Sequence, residues 1–74
     1  MIVMTNNDRM GKNLKTLRNQ YNLSREALAQ LVGLEIDTLH GIEQGMILEI
    51  DAQVLMIICK EFHVTVQMLM EDII

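Results

Sequence analysis

Apolar residues recur along most of the chain at spacings of three and four, the repeat of helices that each bury one side. Met10, Leu14, Leu17 and Tyr21 mark the first run. Asn6, Asn7 or Asp8 stands ready to cap it, and Asn22 to end it, because Asn tolerates the left-handed backbone. Ser24, a strong N-cap, precedes the helix formers "REALAQLV", and Gly33 stops this second helix. A third helix is predicted from about Glu35 to Gln44, with Leu39 and Ile42 inside and Gly45 at its end. "MILEI" follows as a connector. Asp51 then caps a fourth helix, 52–62, whose stripe is Leu55, Ile58, Cys59 and Phe62. Thr65 caps a fifth, 66–72, with Val66, Leu69 and Met70 turned inward. The opening "MIV" suits a short strand laid against a partner or against the C-terminal "II". Five short helices joined by brief connectors predict one all-α domain over 1–74, with 1–9 as an N-terminal extension.

Half of the 74 residues are apolar, which is high for so small a unit, so some apolar surface is expected to need a second copy to cover it. Met68, Met70, Ile73 and Ile74 exceed what one small core buries from one side, and they are the expected homodimer contact. The one cysteine, Cys59, excludes an intrachain disulfide and suits a reducing cytosol. No basic-then-apolar leader opens the chain, and no apolar run nears the ~20 residues of a membrane span. A cytoplasmic protein with no membrane partner is expected. The net charge of −4 is unevenly spread. Residues 1–25 hold Arg9, Lys12, Lys15, Arg18 and Arg25 against Asp8 alone, whereas 26–74 hold Lys60 against nine acids. Only the first third offers a polyanion a cationic surface.

Two pairs have metal-ligand spacing: Cys59 with His63, and Asp37 with His40. Zinc needs four ligands converging, so no metal and no cofactor are expected. No Ser-His-Asp or Cys-His set has supporting context, and no glycine loop cradles phosphate, the glycines sitting at turns or inside the third helix. The chain is not expected to be an enzyme.

Taken in order, "LKTLRNQYNLS", "REALAQLVGL", "TLHGIEQG" and "FHVTVQMLM" resemble the successive elements of the Cro/repressor-type helix-turn-helix family, the XRE-like group, over about 10–73. Ala29 stands at the small position where two helices cross, and Gly33 in the turn. The resemblance implies a five-helix, all-α repressor-type domain and a DNA-binding transcriptional regulator. That regulator would work as a homodimer, each copy setting its third helix into the major groove of double-stranded DNA. Arg18 and Glu43 resemble the family's buried pair. The positions that would face bases are Glu35, Ile36, Asp37, His40 and Gly41. Ser24, Arg25, Lys12, Lys15 and Gln44 are the candidates for phosphate contacts.

Two features depart from the family. The base-facing positions contain no Arg, Lys, Gln or Asn, the side chains that make paired hydrogen bonds to purines. Carboxylates there can accept from cytosine N4, and Ile36 can touch a thymine methyl. Alternatively, Glu35 and Asp37 only steady their own helix N-terminus, worth about 0.3–1 kcal/mol each. After Gly45, basic residues give way to Met46, Ile47, Leu48, Glu49 and Ile50. This loop either completes the core under the fourth helix or is exposed and binds a protein. In the second case the chain is a degenerate helix-turn-helix, an anti-repressor or a regulator of a DNA-binding partner. Exposure of Ile36, Met46, Ile47 and Leu48 discriminates the two.

Overall fold

Hydroxyls and a carboxylate close the helix starts where the sequence marks them. Ser24 Oγ accepts from the Ala27 amide at 3.0 Å, Asp51 Oδ1 from Gln53 at 2.8 Å, and Thr65 Oγ1 from Met68 at 3.0 Å. Each satisfies an amide of a first turn that has no partner within its own helix. Left-handed residues close the other ends: Asn22 at φ 56°, Gly33 and Gly45 at 74°, and His63 at 55°.

The structure, a computed structural model, describes residues 2–4, 7–47 and 49–71. Its elements are β1 (Ile2–Met4), α1 (Asn7–Gln20), α2 (Arg25–Val32), α3 (Ile36–Glu43), β2 (Glu49–Asp51), α4 (Ala52–Phe62) and α5 (Val66–Glu71). All five predicted helices form. The "MIV" strand also forms, but its partner differs from both predicted ones. β1 pairs antiparallel with β2, with Val3 opposite Ile50, inside the segment read as a plain connector. Ile50 is buried there, between exposed Glu49 and Asp51, the alternation of a strand with one covered face. The candidate cap Asn6 lies outside the described residues, and Asn7 is already helical.

α1 packs against both α3 and α5, with α2 and α4 closing the core. Met10, Leu14, Leu28, Leu39, Ile58 and Leu69 are its most deeply buried large side chains. Val66 does not join them. It stays 41% exposed, because α5 meets α1 through its later residues, Leu69 and Met70.

Two polar features of α1 carry more than its apolar pattern shows. Buried Asn13 donates through Nδ2 to the Leu69 carbonyl at 2.8 Å, and Arg9 donates to the Glu71 carbonyl at 2.7 Å. One turn apart on α1, they satisfy carbonyls at the end of α5. Gly11 corrects the expectation that glycines lie only at turns or in the third helix. It sits inside α1, where a Cβ would stand 2.5 Å from the Ile42 carbonyl oxygen and 2.7 Å from that of Glu43. The end of α3 therefore lies directly on the α1 backbone.

Candidate nucleic-acid interface

The turn between α2 and α3 is built from small residues. Ala29 is buried, the left-handed Gly33 turns the chain, and the Leu34 amide donates back to the Ala29 carbonyl at 2.9 Å. Leu39 and Ile42 then seat α3 on the core, and the opposite side faces out. Asp37, His40, Gly41 and Gln44 share that outer stripe at helical spacing. Asp37, His40 and Gln44 are exposed, and Ile36, at 39% exposure, flanks them.

Glu35 is the N-cap of α3, is exposed, and makes no side-chain capping bond to the helix entrance. Asp37 lies in the first turn, where an acid suits the helix dipole. Gly41 is not open space. Its Cβ direction leads to Ile47, whose Cδ1 lies 3.0 Å and Cγ1 3.2 Å from where a Cβ would sit.

Arg18 and Glu43 form the predicted buried pair. Arg18 Nε donates to Oε2 at 2.7 Å and its Nη2 to Oε1 at 3.2 Å, while its Nη1 reaches the Leu23 carbonyl at 2.9 Å. The sequence did not reveal a third member. Arg25 Nε also donates to Glu43 Oε1, at 3.1 Å, while 34% of the Arg25 side chain remains exposed. Arg25 is thus tied to the end of α3 through Nε while its side chain stays partly exposed. Lys15 lies one turn after Gly11 and one turn before Arg18, both of which touch the end of α3. It is exposed, so its ammonium leaves α1 along the flank nearest α3. Lys12, three residues before Lys15 on the same exposed face of α1, is also exposed, and exposed Ser24 spends its Oγ on capping α2.

The expected partner surface divides. Met46 is 78% exposed, whereas Ile47 is half-buried against the core. Met68 is 37% exposed, but Met70 belongs to the core of the single chain. Leu48, Ile73 and Ile74 lie outside the described residues. Sequence reasoning missed an apolar pair on the outer face of α4. Met56 is 66% and Ile57 42% exposed, and with Gln53 and Lys60 they line an open groove of about 410 Å³. Their signal was two large apolar side chains off the α4 core stripe, at the spacing 53, 56, 57, 60.

Cys59 is buried and His63 exposed, and among the described residues no three His, Cys, Asp or Glu side chains gather to hold a metal. Burial pushes the Cys59 thiol above its ordinary value of 9.0. Among the described residues, no helix is long and apolar enough to cross a membrane.

A helix-turn-helix family profile matches residues 14–69. Among solved structures, the restriction-modification controller protein C.AhdI from Aeromonas hydrophila is 26% identical. The match covers 82% of this chain and 91% of that one, at a TM-score of 0.72. The biofilm master regulator SinR, solved in complex with DNA, is 24% identical over 84% of this chain and 98% of its own, at 0.75. The clp gene regulator ClgR from Corynebacterium glutamicum superimposes at 0.78 with 18% identity, over 90% of this chain and 70% of that one. No curated protein matches the chain.

Proposed function

The chain belongs to the XRE-type helix-turn-helix family, and from that premise we propose that it is a DNA-binding transcription regulator, a homodimer that sets α3 into the major groove of double-stranded DNA. One observation carries this reading: the outer stripe of α3 is clear of the core, and Arg25 and Lys15 flank it. C.AhdI, a controller protein above a quarter identity, supports the regulatory role, and SinR shares the fold and was solved on DNA. Phosphate contacts from Arg25, Lys15 and the α2 N-terminus would position the domain, with Lys12 and Gln44 at the edges. Side chains of α3 would then read base edges.

A dimer would place two α3 helices about one turn of DNA apart, roughly 34–36 Å. Met56 and Ile57, which line one groove on the outer face of α4, are apolar side chains the monomer leaves exposed, and they support a pairing surface there. The protein-binding alternative keeps one observation in its favour, the 78% exposure of Met46. Ile47 no longer serves it fully, since it is packed against the core.

Selection from a random duplex pool at two salt concentrations tests the proposal. A palindromic motif with half-sites one helical turn apart is the expected result. Retention of no sequence above background would overturn it and favour the protein-binding alternative.

A further inference from the structure

The outer stripe of α3 has a gap where Gly41 lacks a side chain, and the structure fills it from elsewhere. A Cβ built on Gly41 points at Ile47 Cδ1, 3.0 Å away. The loop that brings Ile47 there is set at both ends. The Gly45 amide donates to the Ile42 carbonyl at 3.1 Å and the Met46 amide to that of Gly41 at 2.9 Å, so the chain folds back over the end of α3. Beyond Ile47, the loop enters β2, which β1 holds by strand pairing. Ile47 is half-buried, so its side chain is both packed and partly presented.

We infer that Ile47 replaces the side chain missing at Gly41 and acts as a specificity-determining residue, reading the 5-methyl group of a thymine in the major groove. The inference rests on the proposed DNA-binding function and extends it. The chemistry follows from what the stripe offers. An aliphatic group in the major groove has no hydrogen bond to give, and the feature it selects is the thymine methyl, which it buries away from water. Ile36 is the other aliphatic group near the stripe, at the opposite end of α3, so the two would touch different base pairs. Ile47 is presented on a loop pinned by two backbone bonds and a strand pair, which gives it the fixed position that base readout needs.

The test uses the wild-type protein and a duplex carrying its selected motif, with each thymine replaced in turn by uracil, which lacks only the methyl group. One replacement per half-site should weaken binding about three- to tenfold. In Ile47→Ala, checked for fold by its melting curve, that same replacement should have no further effect, while the other replacements behave as in wild type. If Ile47→Ala does not fold, Ile47→Val is the substitute: it removes only Cδ1, the atom that reaches the Gly41 position, and should clearly reduce the methyl preference, an undiminished preference counting against the inference. Two results would overturn the inference: no uracil replacement matters in the wild type, or the sensitive position stays equally sensitive in the variant, which assigns the methyl contact to Ile36. Failure to select any motif is a separate outcome and removes the DNA-binding function on which the inference stands.

Discussion

Replacing Glu43 by Gln keeps its shape and one acceptor but removes the charge that holds two arginines. Glu43 has a fully buried side chain and accepts from Arg18 at 2.7 and 3.2 Å and from Arg25 at 3.1 Å. Arg18 is 10% exposed, so it cannot turn to water when its partner is neutralised. Breaking a buried pair in this way costs roughly 3–5 kcal/mol, because a charge is left unpaired in a poor solvent for it. A domain of 74 residues has a total stability of about 4–11 kcal/mol at 0.05–0.15 kcal/mol per residue. The substitution should therefore remove close to half. It should lower the melting temperature by at least ~12 °C, at 4–8 °C per kcal/mol. Arg25→Ala is the internal comparison. Its side chain is 34% exposed and its bond to Glu43 lies at the rim, so about 0–1 kcal/mol is expected. Urea unfolding followed by far-ultraviolet dichroism measures both variants. A loss below ~1 kcal/mol for Glu43→Gln would refute the assignment of a desolvated pair, and equal losses for the two variants would show that the rim bond, not the buried one, carries the energy.

Gly11→Ala gains about 1 kcal/mol of helix propensity but drives a methyl group into two α3 carbonyl oxygens, so a net loss near 2 kcal/mol is expected in the same unfolding assay. His63→Gly should raise stability by ~0.5–1 kcal/mol, since a left-handed backbone at φ 55° strains any residue with a Cβ, and a thermal melt reads the gain. Glu35→Ser should add ~0.5–1 kcal/mol by supplying the capping bond that Glu35 does not make, again seen by urea unfolding. Burial raises the folded Cys59 thiol above 9.0, so its stability contribution is complete below that pH and is lost as pH rises through the folded value. Relative to Cys59→Ala, the wild type should weaken progressively above about pH 9, and a parallel pH dependence in the two proteins would contradict this.

The helices were legible because their caps and stripes are local. Ser24, Asp51 and Thr65 each announce a helix start by chemistry that acts within three residues, and Asn22, Gly33 and Gly45 close helices by backbone handedness, whereas His63 closes α4 the same way with no such signal in its residue type. Long-range consequences were not legible. Val3 pairs with Ile50 across most of the chain, and nothing in "MILEI" alone says that it becomes a strand. Asn13 reads as one more polar residue of α1, yet its amide is spent on the end of α5, and Gly11 reads as a flaw until α3 is seen lying on it. On the outer side of α3, the resemblance picked out positions that are largely exposed, and it paired Arg18 with Glu43. The involvement of Arg25 with Glu43, and of Ile47 with Gly41, depends on how helices and loop converge, which spacing does not encode.

Few cations border α3, and this sets the electrostatic strength of any grip on DNA. With Arg25 and Lys15 as the main phosphate ligands of each protomer, the proposed dimer would neutralise about four phosphates, and log Kobs should fall against log salt with a slope near −3.6. Affinity then drops about 10²-fold between 50 and 200 mM salt. Fluorescence anisotropy of the selected duplex over that range is the direct measurement. Arg25→Ala should make the slope shallower by about one for each phosphate left without its cation. A wild-type slope steeper than about −7, or one unchanged in Arg25→Ala, would contradict this assignment of the phosphate-binding residues.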